Sequence, residues 1–361
     1  MTAIVGLDIG TSAVRAAVLE GGKKGAPVLK KYGEVGLPKG AVEGGELVDP
    51  AVVEDAIARL WKTSKLPKKG IVMGLANQRI IVRRVEVPDM SDDALRAALP
   101  QHVGEHIPMA VDDAVLDFVP LEDIPATQGG EPRRAILVVA AQRDMVEQFV
   151  GVVEAAGVRV EAVDLQAFAL VRSVYGARIP LGDAPQAVVS LGAGMTQVIV
   201  TKDGTLRFLR LIPIGGNDMT KALSTGLGIP PEEAEELKRR VGVHGDPGAG
   251  YAGGAASLDD RAKDLLTDQA AQLIEEIRGT LEFYNTQSGD APVGEVMISG
   301  NAARLPHLAT RMGMALDVAV TPVKLLGDSI QVGKTGLSDE QLAHAQPVLP
   351  VAVGLAEWGL I

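Results

Sequence analysis

Residues 7–22 read LDIGTSAVRAAVLEGG, and residues 189–204 read VSLGAGMTQVIVTKDG. Laid over each other without a gap, Gly10 falls on Gly192, Val14 on Thr196, Val18 on Val200 and Gly22 on Gly204. Each stretch is an apolar strand, a turn of small residues, a second apolar strand and a glycine-bearing turn. That pattern spells a tight hairpin. Such a turn can bring backbone amides up to a phosphate, because glycine lets the chain bend sharply and approach closely. Two copies, one per half, predict a duplicated α/β fold closing around a nucleotide. One difference bears on chemistry: Asp8 in the first copy is Ser190 in the second.

Composition narrows the function classes. The 361 residues suffice for two or three domains, each with its own core. Aromatics are only 3%, so those cores must be built from Val, Leu, Ile and Ala. A formal net charge of −11 argues against a nucleic-acid partner, which calls for a basic surface. The absence of cysteine excludes disulfides, thiolate metal sites and cysteine catalysis, and fits a reducing compartment. No uninterrupted apolar run reaches the roughly 20 residues that span a bilayer. The opening MTAIVGLDIG lacks a signal-peptide pattern and reads as a buried first strand. The expectation is a cytoplasmic protein without direct membrane insertion, held at a membrane through something else.

Along the chain, strands are expected at 3–9, 13–19, 29–35 and 70–76, with a helix over 52–62 opened by Asp49-Pro50. From Arg79 to Val160 the texture changes to strand, helix, strand, strand, helix, which reads as an inserted subdomain. Strands at 186–190, 205–211 and 296–299 follow in the second half. Helices are expected there at 217–225, 231–241, 258–287 and 305–314. The stretch 242–256 is rich in Gly and Ala and reads as a loop. The domain division is therefore 1–78, the insert 79–160, a return and crossover 161–185, a second domain 186–345, and a final helix 346–361.

In the first hairpin Gly10 makes the turn, Thr11 and Ser12 add hydroxyl donors, and Asp8 at the strand end is placed to hold Mg²⁺ through water. The second hairpin keeps Gly192, Ala193, Gly194 and Thr196, but Ser190 cannot act as a carboxylate base or neutralise a metal. Binding survives that change more easily than hydrolysis. Three further motifs are set aside. His102-x-x-Glu105-His106 sits at a helix end without a third ligand. Gly248–Gly253 spells GxGxxG with no strand before it. Gly327 to Thr335 is one residue too long for a P-loop.

With both hairpins in place, the chain resembles the actin-like ATPase superfamily (ribonuclease H-like fold) and, within it, the PilM family of type IV pilus assembly proteins, with FtsA as a related division protein. VGLDIGTSAVRAAVL resembles the first phosphate motif. VRRVEVPDMSDDALRAALPQHVGEHIPM resembles the inserted 1C, or SHS2-like, subdomain, and residues 137–172 are the most PilM-like stretch. Gly215, Gly216 and Asn217 resemble the glycine turn after the second hairpin. Glu235 and Lys238 resemble the family's A-E-x-x-K helix, which lies against the nucleoside there, and Gly300-Asn301 falls in a stretch that resembles the family's adenosine motif. Ser190 replaces the family's usual aspartate, and Asn301 a usual glycine.

The resemblance implies ATP and Mg²⁺ as ligands, with hydrolysis weak or absent. It implies a partner too: the short cytoplasmic N-terminal peptide of a PilN-type inner-membrane protein, seated between the first subdomain and the insert along parts of Arg79–Met109. Self-association is a further possibility. Two alternatives stay open: an FtsA-like membrane-associated filament, and a small-molecule kinase, since GLDIGTS also opens sugar kinases. The ending AEWGLI is apolar rather than basic, which weighs against a direct membrane helix.

Overall fold

The computed structural model describes residues 3–21, 25–126, 130–176, 184–246 and 257–360. In the first half, β1 (Ile4–Ile9) and β2 (Ala13–Glu20) form the first hairpin, and β3 (Val28–Gly36) continues it antiparallel. A short ladder of β4 (Val42–Glu43) and β5 (Glu46–Leu47) leads into α1 (Pro50–Ser64). The Asp49 carboxylate accepts from the Val52 amide at 3.2 Å, and Pro50 takes a first-turn position where no amide is required. β6 (Ile71–Leu75) lies parallel to β1, and β10 (Val160–Leu165) parallel to β6.

The second half repeats this plan with β11 (Gln186–Leu191), β12 (Thr196–Lys202), β13 (Thr205–Ile212), β14 (Glu295–Ser299) and β15 (Ala319–Pro322). Strand order is β3-β2-β1-β6-β10 in one sheet and β13-β12-β11-β14-β15 in the other, strand for strand the same. The pair β16 (Gln331–Val332) extends the first sheet beside β3. The duplication read from two hairpins thus extends to five strands.

Period-two alternation assigns each strand two faces. Val5, Leu7 and Ile9 pack under α1 and α3 (Arg143–Ala155), whereas Ile4 packs under α4 (Gln166–Tyr175) and α10 (Leu349–Trp358). In the second sheet Ala187, Val189 and Leu191 face α5 (Gly216–Leu227), α6 (Pro231–Val241), α7 (Leu258–Ser288) and α8 (Leu308–Leu316). Its other face, through Val188, Ile199 and Met297, joins the cluster of α4, α10 and α9 (Asp339–Ala345). The α4–α10 pair therefore lies between the two sheets.

α10 packs backbone to backbone. A Cβ on Gly354 would stand 1.7 Å from the Ala169 carbonyl oxygen, and one on Gly6 would stand 1.9 Å from that of Ala352. Gly354→Ala is expected to cost about 3 kcal/mol in chemical denaturation, since neither backbone can retreat within a close-packed layer. A loss under about 0.5 kcal/mol would show that this layer is loosely packed.

The insert contains β7 (Ile80–Pro88), β8 (Ala114–Ile124) and β9 (Arg133–Gln142) in the order β7-β9-β8, with α2 (Asp92–Val103) laid across them. Val85, Leu95, Leu99, Phe118, Ile136 and Val138 give it a core of its own. α3, grouped with the insert in the element order read from sequence, buries Met145 and Phe149 in the first half's core. Block 79–160 thus spans two packing units. The helix expected from Leu305 begins at Leu308, after a 3₁₀ turn over Asn301–Arg304. Pro306 explains the delay, because it holds Leu305 extended. Gly248–Gly253 lies outside the described residues.

Candidate functional site

The two hairpin turns meet at the floor of a cleft between the halves. In the first, the Gly10 amide donates to Ala13 O at 3.0 Å; in the second, Gly192 donates to Met195 O at 2.9 Å. The tips touch: a Cβ on Gly194 would lie 2.9 Å from the Thr11 side chain. An inner cavity of about 90 Å³ is lined by Asp8, Gly10, Arg15, Gln166, Ser190, Gln197 and Gly300. An outer one of about 450 Å³ is lined by Gly216, Asn217, Glu235, Lys238, Arg304 and His344. Thr11, Ser12, Ala193 and Asn301 line both, so the two form one cleft with a narrow waist. The Asn301 amide closes that waist by donating to Ser12 Oγ at 3.3 Å.

Hairpin register places Asp8 directly opposite Arg15, and Ser190 directly opposite Gln197. The duplication thus carries a charged pair in one half and a neutral pair in the other. Asp8 lies 3.8 Å from Arg15, which also pairs with Glu34 at 3.2 Å, and Tyr32 donates to Glu34 at 2.7 Å. Gln166 ties the copies together: its amide donates to Asp8 at 2.9 Å and its carbonyl accepts from Gln197 at 3.0 Å. Burial pushes the Asp8 carboxyl up to about 6, against the pull of Arg15.

These residues fit a phosphate chain. Arg15 Nε is buried without a hydrogen bond, and the amides of Thr11, Ser12, Ala193 and Gly194 enter no backbone bond. For a metal, Asp8 is one carboxylate rather than a cage, which suits a magnesium ion that keeps its waters. Among the described residues no group of three His, Asp or Glu is placed to hold a metal, His102, Glu105 and His106 included.

The Asp8 shift carries a sign. From the ordinary carboxylate value up to about 6, the folded state retains a proton that the unfolded chain releases. Stability is therefore highest at the acid end of that window and falls as pH rises through about 6, by about 3 kcal/mol in all. Asp8→Asn is expected to flatten that slope in urea titrations between about pH 4 and 6.5 and to leave the protein more stable at neutral pH. An unchanged slope would assign the titration to another group.

In the outer cavity Lys238 donates to Gly216 O at 2.9 Å, Thr220 at 2.8 Å and Glu235 at 2.6 Å. Burial lowers the Lys238 pKa although Glu235 pulls it upward, so this ammonium is held by its partners rather than by water. The Gly216 and Asn217 amides donate to Gly192 O and Ala193 O at 3.0 and 2.7 Å. They brace the second turn instead of pointing at a ligand. Gly215 lets this turn approach closely, since a Cβ there would stand 2.5 Å from Ala193 O, and its own amide donates to Asp218 at 2.8 Å. Thr196 is fully buried and donates to Ile214 O at 2.8 Å; it lines neither cavity, so it pins this turn from behind. Gly300, at φ +92°, admits no side chain because a Cβ would meet Leu191 O at 2.4 Å. Sequence reading passed over Arg15, Gln166 and Gln197. The first and last follow from counting back along each hairpin from its turn, whereas Gln166 has no local signal.

A second concavity of about 780 Å³ runs between the insert and the first half. Val115 to Val119 of β8 form one wall, and Val163 to Leu165 of β10 with Phe168 and Trp358 form the other. Both strands are the edges of their sheets, and Val115, Val163 and Trp358 are 39%, 38% and 47% exposed. Arg96 pairs with Asp117 at 2.6 Å and lies 5.2 Å over the Phe118 ring. Of the stretch Arg79–Met109 expected to line a partner groove, Arg96 alone does so. β8 displaces the rest because it, and not β7, is the strand facing β10.

Residues 6–358 match the profile of the type IV pilus assembly protein PilM family. The chain belongs to that family. A solved PilM–PilN type IV pilus biogenesis complex contains a chain similar to this PilM-family protein, with a TM-score of 0.83 and 26% identity, covering 99% of this chain and 98% of that one. MreB5 of Spiroplasma citri, bound to ADP, is similar in fold at 13% identity and a TM-score of 0.51, covering 99% and 96%. The cell division protein FtsA of Streptococcus pneumoniae is 26% identical, with 99% of this chain and 81% of that protein aligned. FtsA of Escherichia coli K12 is 25% identical, with 99% and 90% aligned. The fold of this PilM-family chain is actin-like, and among its described residues no helix is long and apolar enough to cross a membrane.

Proposed function

We propose that this PilM-family chain is a nucleotide-binding scaffold of a type IV pilus or related secretion machine. ATP lies across the cleft, and the cytoplasmic N-terminal peptide of a PilN-type protein lies in the groove. The observation that carries the nucleotide reading is the opposition of two phosphate-sized turns that share one carboxylate. Asp8 faces the site, and Ser190 occupies the mirrored place. Arg15 and the free amides of Thr11, Ser12, Ala193 and Gly194 would hold the phosphates, and Glu235 and Lys238 would flank the nucleoside. Bound Mg²⁺ would supply charge neutralisation, held by Asp8 through water. Without a second carboxylate, ATP serves as a structural clamp.

Two free strand edges flanking an apolar groove suit an extended peptide, whose main chain completes a ladder while alternate side chains fill pockets. Such a partner would hold the protein at the inner face of the membrane. Calorimetric titration with Mg-ATP, ADP and a non-hydrolysable analogue tests the cleft. Binding with negligible phosphate release is expected, and absence of binding by any nucleotide overturns the reading. Val163→Glu tests the groove: it should lower affinity for a synthetic PilN-type N-terminal peptide at least about tenfold, with stability changed by less than about 0.5 kcal/mol. Unchanged peptide affinity would place the partner elsewhere.

A further inference from the structure

The nucleotide cleft and the peptide groove are built on the same two helices. α4, ten residues and about 15 Å long, begins at Gln166, which bonds Asp8 and Gln197 at the cleft floor. From Phe168 onward it lines the groove, through Phe168, Val171, Arg172 and Tyr175. α10 runs the same course, with Pro350 and Val351 on the cleft and Trp358 on the groove. The helices are locked together. Gly354 lies against Ala169 without room for a side chain, and Arg172 donates to Gly354 O at 2.6 Å and to Asp164 of edge strand β10 at 2.9 Å.

The groove also has a third wall. Asp203, Gly204, Thr205 and Leu206, the turn joining β12 to β13, belong to the second half yet line it. Around them Leu206 and Leu209 pack in one cluster with Val119 and Leu121 of the insert, and Arg207 approaches Glu122 at 3.9 Å. A peptide seated there touches the insert, the first half and the second half together. A nucleotide in the cleft touches both halves as well. Each ligand would favour the arrangement in which the halves close, and the locked α4–α10 pair would carry that closure from one site to the other.

We infer that the two sites are positively coupled: Mg-ATP in the cleft tightens peptide binding in the groove, through Gln197, Gln166 and the α4–α10 pair. This rests on the reading of both sites given above. Linkage requires that the peptide tighten Mg-ATP binding by the same factor, and allosteric couplings of this kind amount to about fivefold or more.

The test is a four-way calorimetric cycle on the full chain, using Mg-ATP and a synthetic peptide that copies the cytoplasmic N-terminus of a PilN-type protein. A gain of about fivefold or more, equal in both directions, is expected. If each ligand binds alone and neither changes the other's affinity, the coupling is overturned while the two sites stand. If one ligand fails to bind alone, the underlying reading falls and the coupling with it. Gln197→Leu tests the route, because the coupling factor is a ratio within one variant and is independent of its absolute affinities. The factor should fall toward one. A wild-type factor would overturn the path assigned to Gln197.

Discussion

Arg15→Ala is expected to weaken Mg-ATP binding about a thousandfold, or about 4 kcal/mol. Arg15 is buried, pairs with Asp8 and Glu34, lines the inner cavity and has an Nε without a hydrogen bond. Its removal withdraws the cation nearest the phosphate turns. It also leaves Asp8 without its partner, so that a phosphate would enter beside an uncompensated carboxylate. Truncating one partner of a buried charge pair at a recognition site costs about 2–5 kcal/mol of affinity. Arg15→Lys separates charge from geometry: it retains the cation but loses the fork that reaches two partners, and should recover part of the affinity. Calorimetry on both variants decides. Tight binding by the alanine variant would remove Arg15 from the site.

Ser190→Asp is expected to raise the rate of phosphate release from ATP about a hundredfold, the scale of a positioned general base. Ser190 faces the inner cavity opposite Gln197, and an aspartate there would restore the symmetry that Asp8 breaks. Two carboxylates facing one cleft also raise each other's pKa, so a second ionisation should enter the pH profile of turnover. Single-turnover phosphate release at saturating Mg-ATP measures both. An unchanged rate would mean that something other than the missing carboxylate limits hydrolysis.

The parts of the fold that could be read in advance were those set by neighbours in sequence. Both hairpins, the Asp49-Pro50 start of α1 and the long α7 follow from local alternation, capping and turn chemistry. The same alternation, pressed one step further, separates Thr196 from the phosphate site. Thr196 shares a strand face with Val198 and Val200, which pack in the outer core, while Gln197 and Ile199 face inward. Its counterpart in the first copy is Val14, a core residue. What could not be read was long-range assembly. Gln166 meets Asp8 across 158 positions only because β10, β6 and β1 lie side by side, and α3 shows one apolar face that suits either core. The concavity beside the insert could not be read for a similar reason, since no local pattern says which strand of the insert becomes the edge beside β10.

The position of α10 bears on how the protein is made. β1 leaves the ribosome long before α10, the helix that covers one of its faces. Val353, Leu355 and Ala356 are completely buried in that layer, so the first sheet cannot finish its core until α10 has emerged. The amino-terminal half must therefore wait during synthesis with a bare apolar face. Nascent chains truncated before Leu349 should expose it to holding chaperones and proteases, although each half can already complete its outer core. Vectorial synthesis thus leaves the layer shared by the two halves, and not either half's outer core, to form last.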